Sequence, residues 1–280
     1  MPHTIGVVLA GGTGSRLLPL TRTINKHLLP VNGQPMLHWP IRTLALAGIE
    51  RIVVVLGGKS AGEMVEHFGS EYVVEGRTVR LAYVYQREAG GIGQALAVAL
   101  PLVEELGGER VRVVLGDNVF PGPLDVPPGI AEGRPSPEPR PHDYAVVVGV
   151  EGIDRPERAY GCVAVSQAHG YPVCSTPEEK PNRPAAEGAE WLALAGVYDF
   201  PVETGSLGNL WKLIARIVPS GRGEVEVTDI LAAFSKVGRL TVGVTKGPWI
   251  DAGEHDGYRK ANDPAFWPPG VTELAHMGSK

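Results

Sequence analysis

The chain has 280 residues, with 26 Lys and Arg against 31 Asp and Glu and a formal net charge of −5. That balance excludes a general basic field for nucleic acid, and an aromatic content of 6% excludes a base-stacking platform for single strands. Hydrophobic residues at 43% and charged residues at 20% exclude wholesale disorder, and the length is enough for one large core or two modest ones. Two cysteines, Cys162 and Cys174, match no zinc or redox spacing and cannot build a disulfide framework. The apolar run at residues 5–10 is far too short to span a membrane, and the N-terminus lacks the basic region of a secretory signal. A cytoplasmic protein with neither membrane nor nucleic-acid partners is expected.

Residues 5–10 (IGVVLA) form a continuous apolar run ending in glycines, the pattern of a strand buried on both faces. Met36, Ile41, Leu44 and Ala45 fall near helical spacing, with Gly48 placed as a stop. A second buried strand follows at 51–56, a helix at 61–68, a strand at 79–85, a helix at 93–106 and a strand at 111–115. Residues 121–141 are dominated by proline and glycine and read as a surface insertion. Strands resume at 144–150, 161–165, 194–200 and 240–245, with helices over 203–217 and 227–237. The end, His276–Lys280, looks like a cloning remnant, so residues 3–262 are taken as one domain and 263–280 as a tail. This alternation predicts an α/β fold, a Rossmann-like mostly parallel sheet flanked by helices, with a smaller substrate-side subregion. Ligands of such sheets sit outside the carboxyl ends of the strands, where the polar loops after Ala10 and Leu115 fall.

The first of these loops is Gly11-Gly12-Thr13-Gly14-Ser15-Arg16. Its glycines let backbone N–H groups close around phosphate oxygens, and Arg16 can make a forked contact to them. No Gly-Lys-Ser/Thr follows, so it is not a Walker A loop, and Leu17 stands where a dinucleotide fingerprint needs its third glycine. In isolation a ligand-free tight turn explains these residues nearly as well. The eight histidines form no triad or metal pattern, and there is no G-x-S-x-G elbow.

The motif continues through Leu17-Leu18-Pro19-Leu20-Thr21 and Asn25-Lys26-His27-Leu28-Leu29-Pro30-Val31. At that length it closely resembles the signature of sugar-1-phosphate nucleotidylyltransferases, nearest to the glucose-1-phosphate thymidylyltransferases, with Ser15 in the place of a threonine. Further segments match in family order: Tyr83 to Gln86 and Gly91 to Ala95, Gly116-Asp117-Asn118, Tyr160-Gly161, Glu179-Lys180-Pro181, Arg222-Gly223-Glu224 with Thr228-Asp229, and Trp249 to Gly253. The resemblance spans residues 5 to about 262. It implies transfer of a nucleotidyl group from a nucleoside triphosphate to a sugar 1-phosphate, releasing pyrophosphate.

By the same resemblance Arg16 and Lys26 hold the triphosphate, Lys180 holds the sugar phosphate, and Asp117 and Asp251 bind Mg²⁺. Leu9, Ala10, Gly11, Gly12, Gly14, Gln86, Gly91 and Asp117 line the nucleotide, while Tyr160, Gly161, Glu179, Lys180, Gly196 and Arg222 line the acceptor. Bringing two polyanions together demands charge neutralisation and positioning more than a protein nucleophile. A hard cation with one or two carboxylates and phosphate oxygens suits that task. The Gln86 amide offers a donor and an acceptor together, complementary to the edge of thymine or uracil, and with the resemblance this makes dTTP the leading donor and UTP the next.

Taken alone, Asp117 reads as an Asx turn, Gln86 as a polar strand end and Lys180 as a solvated charge. Lys26 is different, because Ile24 and Leu28-Leu29-Pro30 make an odd setting for a solvated lysine. Several positions depart from the family. Ala89-Gly90 replaces a proline and a frequently acidic residue, and Ala195-Gly196 replaces Thr-Gly. Arg158-Ala159 carries an apparent one-residue insertion, and residues 251–255 read D-A-G-E-H for D-T-G-T-H. The changes cluster on the acceptor side, leaving another hexose, an aminosugar or a cyclitol phosphate open as acceptor. Little chain follows Asp251 where relatives carry further helices, so their tetramer and feedback site are not carried over, and dimer or tetramer assembly stays open. A non-catalytic nucleotide-sugar binding subunit is the rival of another class. An NAD(P) oxidoreductase rests on Gly12-x-Gly14 alone.

Overall fold

A computed structural model of the chain describes residues 3–58, 61–88, 90–124, 130–131, 144–168, 171–245, 247–269 and 271. Expectations for Ala89, for most of 121–141 and for His276–Lys280 lie outside these residues. The chain divides into two compact units. The first comprises the described residues of Ile5–Ala89, Val114–Leu124 and Gly247–Lys280, and the second those of Met1–Thr4, Gly90–Val113 and Asp125–Lys246.

In the first unit the strands Thr4–Ala10, Arg51–Leu56 and Arg77–Tyr85 run parallel, with Gly6 opposite Ile52 and Ile52 opposite Leu81. Their apolar runs are continuous because both faces are covered, and Ile5, Val7, Val8, Val53, Val54 and Val55 are fully buried. Helices His38–Leu46 and Ala61–Phe68 alternate with the strands, as the sequence predicts. A short strand, Glu71–Val74, adds an antiparallel edge that the sequence reading missed; Val73 is exposed there, so no buried run marks it. A separate core gathers Leu17, Leu29, Val31, Met36, Trp39, Val119, Ala252, Ala261 and Trp267. Residues 263–267, read from sequence as the start of a tail, belong to it. Pro264–Phe266 is a 3-10 turn, and Trp267 packs 4.2 Å from Trp39 while its indole N–H donates to the Ala261 carbonyl.

In the second unit the sheet order is Arg110–Leu115, Ala189–Pro201, Ala145–Val150, Leu240–Thr245, Ile130–Ala131. Arg110 and Asp199, both buried, form an ion pair, and Arg112 adds a second contact to Asp199 at 2.7 Å. The 13-residue strand Ala189–Pro201 serves two partners: its start pairs antiparallel with Gly161–Ala168 and its later part with Ala145–Val150. The second ladder bulges between Val147 and Gly149, and Gly196 lies in the bulge. Gly161–Ala168 also pairs with Tyr171–Cys174 and Glu178–Glu179, giving the smaller antiparallel subregion.

Helices Gly91–Glu105 and Val227–Lys236 fall where predicted. The helix expected over 203–217 does not form as one piece. A 3-10 turn, Gly205–Leu207, is followed by a short helix, Leu210–Ile214. Gly208 at φ 90 breaks the run between them, and the Asn209 side chain caps the helix by accepting from the Trp211 N–H.

Candidate active site

The first strand ends in residues 11–14, which pass into the 3-10 turn Ser15–Leu17. Gly14 precedes the turn in left-handed conformation, and its carbonyl accepts from Thr21 Oγ1 at 2.7 Å. Leu9 and Ala10 are buried at the strand end, and the Leu9 carbonyl accepts from the Gly116 N–H at 2.9 Å. Gln86 is buried just beyond Arg77–Tyr85, and its amide oxygen fills the space where a Cβ on Gly11 would stand.

Two short strands bring the distant aspartates together. Asn118–Val119 pairs antiparallel with Ile250–Asp251, Asn118 opposite Asp251, and the Ala252 N–H donates to the Asp117 carbonyl at 2.8 Å. A Cβ on Gly253 would lie 2.7 Å from Asp117 Oδ2 and 2.9 Å from Asp251 Oδ1. A side chain at Gly253 would make the carboxylates shift, and their two oxygens flank a single point. Lys26 Nζ donates to Asp117 Oδ2 at 2.6 Å, with side chains 10% and 12% exposed. On its other oxygen Asp117 accepts from Asn118 Nδ2, and the Trp249 indole N–H holds Asn118 at 2.7 Å.

The electrostatics separate the two acids. Burial works to raise the Asp117 carboxyl, but the Lys26 ammonium overrides it and holds the carboxyl at about 2. Burial and then the charge of Asp117 push Asp251 up to about 6, against a 2.8 Å hydrogen bond from the Gly253 N–H and the more distant Arg16 and Lys26. Arg16 pairs with Glu254. Partial burial works against its charge, and Asp251, Glu254 and Asp117 together raise its pKa.

His27 is fully buried beside Gly116 and Lys26, and burial followed by the Lys26 charge pushes its imidazole down to about 3. Its Nδ1 lies 2.9 Å from Asn25 Oδ1, which also accepts from the His27 backbone N–H. With the amide oxygen so engaged, Nδ1 carries the proton and the ring is neutral, leaving the buried Nε2 without a hydrogen-bond partner. Among the described residues no group of three or more His, Cys, Asp and Glu could hold a metal ion, so the acid pair stands by itself.

The acceptor-side residues lie in the second unit. Glu179 pairs with Gly161 across a short ladder, and a Cβ on Gly161 would meet Glu179 Oε2 and Thr228 Cγ2 at 3.2 Å. Glu178, Glu179, Lys180, Ser220, Arg222 and Asp229 are among the residues lining a cavity of about 690 Å³. Arg222 pairs with Glu226 at 2.8 Å and approaches Glu179 at 3.5 Å, and Ser220 Oγ also donates to Glu226. Burial and the nearby Glu226 charge raise the Glu179 pKa above the usual carboxylate range. Lys180 is exposed at a left-handed φ of 42, with its N–H donating to the Tyr160 carbonyl at 3.2 Å.

Gly91 opens the helix Gly91–Glu105, where a Cβ would meet the Val225 carbonyl at 2.8 Å. The chain's own 224–225 segment fills that space, so backbone packing accounts for this glycine. Gly196 sits in the strand bulge, and Ala195 beside it is fully buried.

The first unit thus unites Arg16, Lys26, Asp117 and Asp251 with the glycine loop and Gln86; the second unites Tyr160, Gly161, Glu179, Lys180 and Arg222. Glu226, Ser220, Asn118, Trp249 and His27 are supporting residues that the sequence reading did not assign. Glu226 had a signal, since it lies four residues beyond Arg222 on a segment already singled out.

A glycine loop at the carboxyl end of a parallel strand, with two cations and an acid pair in the same unit, fits a phosphate-handling α/β protein. The nucleotidyl transferase family matches residues 5–265, and the chain belongs to that family of enzymes. It is 32% identical over 252 residues to a glucose-1-phosphate thymidylyltransferase of Actinoplanes sp., covering 89% of this chain and 73% of the relative. With the enzyme of the same name from Mycolicibacterium smegmatis it shares 31% over 262 residues, covering 92% and 81%. A solved structure from Bacillus anthracis, described as a glucose-1-phosphate thymidylyltransferase in complex with sucrose, superposes with a TM-score of 0.70 at 33% identity, covering 92% of this chain and 94% of that one. No described helix is long and apolar enough to cross a membrane.

Proposed function

We propose that this nucleotidyltransferase transfers a nucleotidyl group from dTTP to a sugar 1-phosphate in a Mg²⁺-dependent reaction, giving a nucleotide sugar and pyrophosphate. The names of the relatives support the donor and acceptor classes. The observation that carries the reading is the Lys26–Asp117–Asp251 arrangement, in which two carboxylate oxygens flank one point beside an ion-paired lysine.

An acceptor phosphate oxygen attacks the α-phosphorus in line. A new P–O bond forms, the bond to the β-phosphate oxygen breaks, and the electron pair leaves on pyrophosphate. No protein nucleophile is needed. Arg16 and Lys26 bind and orient the triphosphate oxygens. Gln86 reads the base edge through its amide, with UTP the nearest competitor because one methyl gives limited discrimination. Glu179 accepts hydrogen bonds from sugar hydroxyls, and Lys180 with Arg222 supplies positive charge for the sugar phosphate.

Asp117 and Asp251 would hold Mg²⁺, and two carboxylates leave its remaining positions to phosphate oxygens and water, as a hard cation prefers. An ion held by these two residues would supply charge neutralisation for the triphosphate. The reading also places the protein in the cytoplasm.

The test is pyrophosphate release from dTTP, UTP, ATP, CTP and GTP against hexose, aminosugar and cyclitol 1-phosphates, with and without Mg²⁺. Release with dTTP and one acceptor, lost on chelation, is the expected result. Silence across the grid from folded protein that still binds nucleotide would favour the binding-subunit reading.

A further inference from the structure

The family motif D-T-G-T-H reads D-A-G-E-H here, and the second threonine position is occupied by Glu254. Glu254 precedes the helix His255–Ala261 with extended backbone angles, where a side chain commonly turns back to cap the helix. It makes no capping bond. Its carboxylate pairs instead with Arg16 Nη1. Arg16 follows the glycine loop and feels the charges of Asp251 and Asp117, so Glu254 places an anion on the cation that ends the loop.

A carboxylate oxygen on a guanidinium N–H imitates a phosphate oxygen on the same N–H, because both are anionic acceptors of a charge-assisted hydrogen bond. We propose that Glu254 is a built-in stand-in for polyphosphate: it holds Arg16 in the ligand-free protein and must be displaced when a triphosphate binds. The proposal rests on the reading that Arg16 holds the triphosphate. Both side chains are more than half exposed, so the exchange needs no opening of the core. The carboxylate lowers polyphosphate affinity in two ways, by competing for the guanidinium and by leaving a negative charge beside the site. As pyrophosphate departs it recaptures Arg16, which favours release.

The test is titration of inorganic tripolyphosphate into the full chain, followed by calorimetry, for wild type, Glu254→Gln and Glu254→Thr. Both variants are expected to bind roughly two- to fivefold more tightly, the range an exposed ion pair allows, with a smaller gain at high salt. In an Arg16→Gln background the gain from Glu254→Gln is expected to shrink to the part that comes from removing a negative charge beside the site, and an undiminished gain there overturns the proposal. Under turnover the same variants should show a lower KM for the nucleoside triphosphate and slower pyrophosphate release. Unchanged or weaker tripolyphosphate binding in both Glu254 variants, or binding in none of the proteins, overturns the proposal. A tighter-binding pattern without nucleotide-sugar formation would instead count against the proposed reaction alone.

Discussion

The Lys26–Asp117 pair of the first unit and the Arg222–Glu179 pair of the second carry their charges in opposite ways. In the first, Lys26 and Asp117 are about nine-tenths buried and paired at 2.6 Å, and backbone ladders fix the positions of both aspartates. In the second, Arg222 is 52% exposed and Glu179 29%, joined by a 3.5 Å contact along a cavity wall that includes a positive-φ turn at Lys180. A buried pair cannot lose one member cheaply, whereas an exposed network can be rewired residue by residue. Of the departures from the family pattern, those near Tyr160 and Ala195 fall in the second unit, whereas Ala252 and Glu254 fall in the first.

The sharpest way to break that contrast is Lys26→Ala. It leaves Asp117 buried without its counter-ion, and we expect a loss of about 3–5 kcal/mol of stability together with a fall in turnover of at least about 10²–10³-fold. Combining Lys26→Met with Asp117→Asn should recover much of the stability and none of the turnover, as read by urea unfolding and pyrophosphate release. Wild-type stability in Lys26→Ala would show that the pair is not a buried one.

Asp251 gives a pH signature in the metal-free protein. Its pKa of about 6 in the fold lies above the ordinary carboxylate value, so the fold favours its protonated form. That contribution is complete below about pH 4 and is lost as pH rises through 6. Asp251→Asn should therefore raise Tm near pH 8 and change it little near pH 4, followed by calorimetry in chelator. Asp117 has the opposite sign: held at about 2, it stabilises the fold above about pH 4 and ceases to do so as pH falls towards 2. A Tm gain for Asp251→Asn that does not depend on pH would remove the like-charge account of the acid pair.

The second unit should respond more gently. Glu179→Gln is expected to raise KM for the sugar phosphate by roughly tenfold while moving stability by less than about 1 kcal/mol. Arg222→Ala should raise it similarly but cost more stability, because it strips the counter-ion from buried Glu226. Parallel measurements of acceptor KM and thermal unfolding check this. A collapse in stability would erase the distinction between the units.

Much of this was legible in the sequence where burial leaves a long apolar run. The strands Thr4–Ala10 and Arg51–Leu56 are covered on both faces and read clearly, and the apolar neighbours of Lys26 signalled a buried cation. The Asp117–Asp251 pairing was reachable only through family resemblance, because the strands joining them are two residues each and have no period to detect. The helix over 203–217 was misread because its apolar spacing continues past Gly208, where the backbone turns away from helical angles. Gly91, placed against the nucleotide by resemblance, has the space beside its Cα filled by residues 224–225, which its sequence setting does not announce. Neither His27 nor Trp249 had a local signal for its role, which depends on residues 25 and 118 respectively.

The division of the chain has a consequence for inheritance and engineering. Each unit is stitched from three stretches of sequence, and the polypeptide passes from one to the other five times. A single crossover between two homologous genes, placed anywhere inside the central stretch 90–246, would therefore hand each product a hybrid version of both units. Exchanging the cavity around Glu179 and Arg222 intact requires a cassette with two ends, and the short stretch 114–124 that carries Asp117 has to be kept from the parent that supplies the first unit.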